Sequence, residues 1–359
     1  MTGANGMNAW TQAVQGYLTG AASSNFRNQE VTIKSHWQGR DNLLWRVHCG
    51  NGADAVFKMF TDAGQARCRR QFSGQEQFAG AGLAPEPLWY DRYPPGLPRQ
   101  ILVYRWADGE SLTVADPRHR IAHADAVARV HCAYSDGVQR FSPHPFNLLT
   151  FWQIWQAGEA PLRAWVSAAP APLLSEYLST LWAAAHRLMD TALPLFGETA
   201  PSPIHGDLTA DNALFHKGQA VLVDWEFFGL GDPAQEIARF LFYGGDDWSE
   251  EGRVGWREHY SYSNSDPSLP DRADIYLQLF NFQAVTYLLD GIRQRAVPPV
   301  SDTGADEEST RYLSFLKSAI TVALHRSVTS SGLSPLGKGD SDLLAGEIEF
   351  LTGSRLQAG

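Results

Sequence analysis

Short apolar runs bounded by turn residues recur between residues 31 and 105 and are typical of β-strands. In one run, residues 55–60, apolar residues surround Lys58, and another run, residues 100–104, is apolar after its first position. A segment over about residues 66–81 has helical character and stops before a glycine. The pattern predicts a strand-rich region that contains one helix.

Apolar residues spaced three and four positions apart predict amphipathic helices later in the chain. One set is Ile275, Leu279, Phe282, Thr286 and Leu289, and a second is Leu313, Leu316, Ile320 and Ala323. Another helix is expected around residues 10–17. The polar stretches 300–308 and 329–342 are expected to be loops.

These patterns divide the chain into three expected parts. They are a peripheral segment at residues 1–30, a small lobe at 31–105 and a large, mainly helical lobe at 106–359. The 359 residues, 44% of them hydrophobic, are sufficient to form substantial cores in both lobes.

A second strand pattern surrounds a short turn in the middle of the large lobe. The apolar runs 213–215 and 221–223 flank the sequence His216-Lys217-Gly218-Gln219, which is typical of a β-hairpin with a small loop. Asn212 comes just before the first strand and Asp224 just after the second. Antiparallel pairing therefore brings both side chains to the open end of the hairpin.

The polar residues at this end of the hairpin suggest phosphoryl transfer. A carboxylate from Asp224 and an amide oxygen from Asn212 suit Mg²⁺, a hard cation usually bound by carboxylates, waters and phosphates. Asp207 lies five residues before Asn212 and stays free to orient a hydroxyl and accept its proton.

The residues around the hairpin resemble a known family. The motifs are His205-Gly206-Asp207-Leu208, Asn212, Asp224-Trp225-Glu226 and residues 229–238, with Glu236 where an aspartate is commoner in the family. They resemble the aminoglycoside phosphotransferase and choline kinase family of the protein-kinase-like superfamily, closest to its bacterial choline-kinase-like and thiamine-kinase-like members. The resemblance implies an α+β, two-lobed protein-kinase-like fold, with an antiparallel-sheet N-terminal lobe and a mainly helical C-terminal lobe.

The resemblance also implies a mechanism. Asp207 would be the catalytic base, Asn212 and Asp224 would hold Mg²⁺, and ATP would donate its γ-phosphate to a hydroxyl of a small acceptor. His205 is expected to fix the catalytic loop and not to take part in the chemistry.

Upstream residues fit the nucleotide site of the same family. Gly39 and Asn42 match the turn that covers the nucleotide, although a single glycine also fits an ordinary hairpin turn. Lys58 matches the lysine that contacts the α- and β-phosphates. The alternative interpretation is that Lys58 is an ordinary strand lysine that faces outward. Tyr104 and Trp106 fall at the hinge, where backbone groups would meet adenine.

The acidic partner of Lys58 is where the chain departs from the family pattern. The helix over residues 66–81 holds Gln71 at the place where the family usually has glutamate. Glu76 is the acid nearby and pairs with Lys58 only if the helix is shifted or rotated. Glu76 is therefore the candidate partner, with Gln71 as a weaker substitute.

Net charge, apolar runs and cysteine spacing indicate the class of partner, the location of the protein and the state of its thiols. The chain carries 29 basic and 39 acidic residues, a formal charge of −10, which argues against nucleic acid or an anionic membrane as partner. No apolar run approaches the length of a membrane span, and the N-terminus lacks a signal-like pattern, so we expect a cytoplasmic protein. The widely spaced Cys49, Cys68 and Cys132 are expected to be free thiols.

The acceptor is expected to be a small hydroxylated cation of the choline, thiamine or aminoglycoside kind. The acidic charge favours cations, although solubility alone explains it equally well. Trp152, Trp155 and Trp225 are candidates either for an aromatic cage, with Glu226 or Asp246 adding negative charge, or for core residues. Two other interpretations stay open. One is a catalytically weak kinase-like nucleotide-binding module, and the other is a metal-dependent hydrolase built on His205 and Asp207.

Overall fold

The computed structural model describes most residues of the chain. They are residues 4–39, 42–50, 52, 54–62, 67–142, 144–197, 199–244, 248–295, 319–320, 322–324, 326–327, 343–344, 346–348 and 350–351.

Strands concentrate in the first hundred residues and return around the predicted hairpin. Their bounds are β1 Val31–Gln38, β2 Asn42–Cys49, β3 Asp54–Phe60, β4 Pro87–Asp91, β5 Ile101–Arg105, β6 Glu110–Ser111, β7 Ser202–Ile204, β8 Ala213–His216, β9 Gln219–Leu222 and β10 Gly229–Gly231. The first five form one antiparallel sheet in the order β1-β2-β3-β5-β4. Lys58 lies on β3, the central strand, opposite Leu44 of β2 and Leu102 of β5.

Helices make up most of the remaining described structure. Their bounds are α1 Ala4–Gly20, α2 Arg67–Ala79, α3 Pro117–His131, α4 Leu148–Gln156, α5 Glu159–Ser167, α6 Pro172–Ala192, α7 Pro233–Tyr243, α8 Glu250–Ser263 and α9 Leu269–Arg295. The helices expected around residues 10–17, 66–81 and 275–289 are present as α1, α2 and part of α9. Ile320 and Ala323 are helical, whereas Leu313, Leu316 and the stretches 300–308 and 329–342 lie outside the described residues.

One face of the five-stranded sheet packs against α1. Tyr17 of α1 meets Phe57 of β3 edge-on, with ring centroids 5.9 Å apart, and Trp45 of β2 contacts the same ring at 5.8 Å. All three side chains are buried in one apolar cluster together with Val14 and Leu18. The N-terminal segment, expected to be peripheral, therefore contributes to the core.

The predicted hairpin is present as β8 and β9. Ala213 pairs with Leu222 and His216 with Gln219, and the two turn residues Lys217 and Gly218 both have positive φ, 50° and 84°. Positive φ at both central positions matches the right-handed twist of paired strands, which explains the tight turn.

The residues group into two compact units. The first comprises residues 1–145 and 200–267, and the second residues 146–199 and 268–359. The expected lobe boundary near residue 105 falls inside the first unit. Within the second unit, α5 and α6 pack on each other and on α9, and Trp155 and Trp182 are buried with ring centroids 4.5 Å apart.

Two further expectations concern the chain as a whole. Cys49, Cys68 and Cys132 are free thiols. Among the described residues, no helix combines the length and the apolar character needed to cross a membrane.

Candidate active site

A cavity of about 1000 Å³ in the first unit collects nearly all the residues predicted for the site. Those lining it are Gly39, Asn42, Lys58, Tyr104, Trp106, Asp207, Asn212 and Asp224. They come from the five-stranded sheet and the turn after β1, from the residue after β5, from the loop before the hairpin and from the open end of the hairpin. The predicted juxtaposition of the sheet lysine with the hairpin residues is therefore present.

The segment carrying Asp207 is held in place through its neighbours. His205 is buried, contacts the Trp225 ring, and has its Nε2 2.8 Å from the Val223 carbonyl oxygen, in keeping with its expected structural role. Gly206 has φ +88°, and a Cβ there would overlap the Phe227 carbonyl, so only glycine fits. The loop thereby presents the Asp207 side chain, one-third exposed, to the cavity.

A buried carboxylate holds the same loop through its backbone N–H groups. Glu236 of α7 accepts hydrogen bonds from the backbone N–H groups of His205, at 3.0 Å, and Gly206. Its Oε2 also lies 2.9 Å from His131 Nε2, and His131 Nδ1 lies 2.7 Å from the Tyr260 hydroxyl. Burial raises the pKa of Glu236, but the hydrogen bond and charge of His131 outweigh burial and leave this pKa below its ordinary value.

Asp232, four residues earlier, caps the N-terminus of α7. Its Oδ1 accepts from the Ala234 N–H at 3.0 Å, and Pro233 occupies the first helical position. This cap fixes the start of the helix that carries Glu236.

Asn212 and Asp224 meet at the open end of the hairpin, as predicted. The Val223 N–H donates to the Asn212 carbonyl at 2.9 Å, which extends the strand pairing to the residue before Asp224. Asn212 Nδ2 donates to the Asp207 carbonyl at 2.8 Å and to its carboxylate at 3.2 Å. Asp224 adopts the left-handed conformation, with φ 64° and ψ 54°, which is uncommon for a residue other than glycine and often marks functional positions.

These two residues suit Mg²⁺ by the chemistry of their donors. The Asn212 amide nitrogen makes both hydrogen bonds to Asp207. The amide oxygen is therefore left to act as a metal ligand at the cavity wall, which the Asp224 carboxylate also lines. Within the described part of the chain, no three His, Cys, Asp or Glu residues cluster so as to hold a metal by themselves. The pair fits an ion that takes its remaining ligands from phosphate and water.

Lys58 points into the cavity and not out to solvent. Its side chain is 2% exposed, its Nζ donates to Gln71 Oε1 at 2.9 Å, and it forms an ion pair with Asp224. Glu76, the other candidate partner, lies on the exposed side of α2. It is five residues after Gln71, about 140° farther around the helix, because each residue turns about 100°. The structure thus replaces Glu76 with Gln71 as the helix partner of Lys58.

Glu226 joins the same cluster in a role that differs from the expected one. It was a candidate for negative charge near the acceptor, but its side chain is 7% exposed and its Oε2 lies 3.5 Å from Lys58 Nζ. Asn42 and Arg67 also donate to it, each at 3.3 Å. Burial raises the pKa of Glu226, and the Lys58 and Arg67 cations oppose this rise.

Comparison with known proteins decides the family of the chain. The model of the phosphotransferase enzyme family (APH) matches residues 32–276, more than half of the sequence. The chain belongs to this family. The match spans Lys58, Asp207, Asn212 and Asp224. No curated protein sequence matched the chain.

Solved structures show the same fold at low sequence identity. A choline kinase from Cryptosporidium parvum Iowa II has a TM-score of 0.56 and 14% identity, covering 91% of this chain and 98% of that one. An aminoglycoside phosphotransferase from Alicyclobacillus acidocaldarius has a TM-score of 0.54 and 14% identity, covering 90% and 93%. The ADP-bound aminoglycoside phosphotransferase APH(2'')-Ib has a TM-score of 0.56 and 15% identity, covering 89% and 98%.

These findings confirm three predictions from the sequence. They are the aminoglycoside phosphotransferase and choline kinase family, the α+β protein-kinase-like fold with its antiparallel N-terminal sheet, and an enzyme that is a phosphotransferase with an alcohol group as acceptor.

One cation in the phosphotransferase cavity was not found from the sequence. Arg239 of α7 places Nη2 3.3 Å from Asp207 Oδ1, and its Nη1 donates to the Gly206 carbonyl at 3.4 Å. It lines the cavity beside Asp207. Its position three residues after Glu236, one helical turn away on the same face, is a signal that the sequence contained.

Aromatic residues frame the part of the phosphotransferase cavity formed by β1 and the residues after β5. Trp106 donates its backbone N–H to the Asp54 carbonyl at 3.0 Å, and Arg46 stacks over its ring at 3.9 Å. Trp37 meets Trp106 edge-on at 6.4 Å. Burial, and secondarily the Asp224 charge, raise the pKa of Tyr104, so its hydroxyl stays protonated.

The tryptophans considered for a cation cage have other positions. Trp225 is fully buried and stacks on Phe78 at 4.9 Å, so its ring is unavailable to an acceptor. Trp155 is buried in the second unit, where its indole N–H donates to Thr286, and Trp152 packs edge-on against it. Asp246 lies outside the described residues.

Proposed function

We propose that this phosphotransferase transfers the γ-phosphate of ATP, with Mg²⁺, to a hydroxyl of a small acceptor. The observation that carries the proposal is that Asp207, Asn212, Asp224 and the buried Lys58 line a single cavity. A loose phosphoryl-transfer transition state requires alignment and charge neutralisation more than a strong base. These four side chains supply both.

Each residue has a defined task in this mechanism. Asp207 orients the acceptor hydroxyl and accepts its proton as the oxygen attacks the γ-phosphate, while Lys58 binds the α- and β-phosphates. Asn212 and Asp224 would hold Mg²⁺, which when bound neutralises phosphate charge. Asn212 also donates to the Asp207 carboxylate, and this hydrogen bond fixes the direction of the base.

For the acceptor we propose a small hydroxylated cation of the choline, thiamine or aminoglycoside kind. Support comes from the charges that line the cavity, since the carboxylates of Asp207, Asp211 and Asp224 outnumber the cations of Lys58 and Arg239 even without the buried Glu226. The attraction would therefore come from carboxylates and not from an aromatic cage.

A catalytically weak nucleotide-binding module is the second candidate. Its support is Gln71, because this amide stands where the family resemblance implies a glutamate for the lysine. The two candidates differ in turnover. The proposed kinase forms ADP and a phosphorylated acceptor at a rate that depends on the acceptor, whereas the module binds nucleotide without acceptor-dependent turnover.

Asp224→Ala tests the proposed chemistry. The variant removes the only carboxylate that we assign to the metal, so Mg²⁺-dependent turnover should be abolished while the circular dichroism spectrum stays unchanged. Near-wild-type turnover across a Mg²⁺ titration would show that the metal assignment is wrong.

An acceptor panel tests the substrate class. We expect kcat/KM for choline, thiamine or an aminoglycoside to exceed that for a neutral sugar alcohol by about tenfold or more, the equivalent of about 1.4 kcal/mol. Asp207→Asn serves as the inactive control. Equal or better use of the neutral alcohol would refute the cationic acceptor and leave the kinase assignment intact.

A further inference from the structure

The Lys58 ammonium is buried next to a neutral helix partner. Its side chain is 2% exposed, and among the described residues of α2 its partner is the amide oxygen of Gln71, at 2.9 Å. A buried charge is costly unless an opposite charge accompanies it. The amide carries a dipole and no net charge, so a carboxylate elsewhere must balance the lysine.

Asp224 cannot fill this role alone. Although it forms an ion pair with Lys58, its side chain is 33% exposed on the cavity wall, where we assign it to the metal. A carboxylate that coordinates a divalent cation has less negative charge to offer the ammonium. The lysine therefore needs a second carboxylate that stays away from the cavity centre.

Glu226 meets this requirement. It is 7% exposed, and its Oε2 lies 3.5 Å from Lys58 Nζ. Its carboxylate also accepts from Asn42 at the start of β2 and from Arg67 at the start of α2, each at 3.3 Å. These contacts hold the carboxylate between the nucleotide-covering turn, the lysine strand and the helix.

We propose that Glu226 is the positioning residue that supplies the lasting negative charge for Lys58, in place of an acid on α2. The proposal rests on the proposed function, in which Lys58 binds the nucleotide phosphates. Gln71 agrees with it, because the buried Gln71 Nε2 has no hydrogen-bond partner among the residues that the structure describes, so the site is not built around the amide. Two carboxylates at positions 71 and 226 would repel each other around one ammonium.

The first test is a double-mutant cycle between Glu226→Gln and Lys58→Met. With Lys58 present, Glu226→Gln should weaken binding of ADP, measured by calorimetry at saturating Mg²⁺, and raise the KM for ATP, each about tenfold or more, with a smaller loss in kcat. With Lys58→Met, the same change should alter ADP affinity by less than about twofold. Equal losses in both backgrounds would show a structural role only and overturn the proposal.

The second test moves the charge to the helix. Gln71→Glu should weaken ADP binding in the wild-type background, because it adds a third carboxylate around one lysine, and should restore most of the affinity in the Glu226→Gln background. This reversal of sign separates a charge effect from a folding defect, because a misfolded Glu226→Gln variant would not regain affinity when Gln71 is also changed. A loss of affinity in both backgrounds contradicts the proposal.

A matched control and a folding measurement complete the design. Glu258→Gln makes the same chemical change at an exposed position of α8 and should leave ADP affinity and the thermal midpoint unchanged. If the wild-type protein shows no ATP-dependent transfer to any acceptor, the proposed function fails. If it is active and the cycle is additive, only the role of Glu226 fails.

Discussion

The cations on the two sides of the cavity are held in opposite ways. Lys58 is almost completely buried and is paired with Asp224 and Glu226, which lie more than 160 positions later in the chain. Arg239 is 45% exposed, and its partners Gly206 and Asp207 lie on the neighbouring loop. In the proposed mechanism, the nucleotide side would therefore be fixed by the buried Lys58 and Glu226, while the catalytic side would keep the Asp207 carboxylate accessible.

The catalytic loop obtains its rigidity from a different source. Glu236 is buried and holds the loop through the backbone N–H groups of His205 and Gly206, without using the side chain of Asp207. Anchoring the main chain leaves the base free to meet a substrate. A base that were itself buried and paired like Lys58 would have no access to a hydroxyl.

The largest expected effect falls on the catalytic side. Asp207→Asn should lower turnover by about 10²–10⁴-fold because the proton acceptor is removed, while ADP affinity stays close to the wild-type value. Steady-state kinetics and calorimetry on the same preparation measure both quantities. Asp136→Asn, an identical change on an exposed loop, should leave both unchanged. A parallel loss of ADP affinity in Asp207→Asn would break the separation between the two sides.

Glu236→Gln should have the next largest effect. The neutral amide replaces the charged carboxylate that accepts the two backbone hydrogen bonds. The free energy of unfolding should therefore fall by about 1.5–3 kcal/mol. Turnover should fall with it, while the KM for ATP should change little because Lys58 is untouched. Urea denaturation and steady-state kinetics test this, and an unchanged unfolding midpoint would remove Glu236 from its anchoring role.

The smallest effect is expected at Arg239. A half-exposed ion pair contributes about 0–1 kcal/mol, so Arg239→Gln should change kcat/KM by at most about fivefold. Salt screens such pairs, so the difference between variant and wild type should shrink further at high ionic strength. A loss of several hundredfold would mean that Arg239 contacts the reacting groups directly.

Local sequence patterns predicted that Asn212 and Asp224 lie together, and the family resemblance predicted Lys58 beside them, whereas neither predicted the helix partner of Lys58 or the contacts of Glu226. The hairpin places Asn212 and Asp224 together through pairing of neighbouring strands, which a run of thirteen residues, 212–224, encodes. The identity of the Lys58 partner depends on the rotation of α2 about its axis, and the sequence alone did not fix this rotation. The contact between Glu226 and Asn42 joins residues 184 positions apart and has no local signal.

The fold shows the same division. Strand and helix patterns located the sheet, α2 and α9, because periodicity reports which face of an element is buried. The role of α1 in the sheet core and the buried chain from Glu236 through His131 to Tyr260 depend on packing between elements far apart in sequence. Such contacts become visible only when the elements are assembled.

Gly74 ties the helix of Gln71 to the turn that carries Glu226. A Cβ at Gly74 would lie 2.9 Å from the Phe228 ring and 3.1 Å from the Trp225 ring, so α2 lies directly on residues 225–228. An outward swing of α2 would therefore open a gap over these rings and separate Gln71 from Glu226. A small molecule that binds by displacing α2 would have to expose the buried Trp225 and Phe228 rings to water, so we expect such compounds to bind this protein weakly.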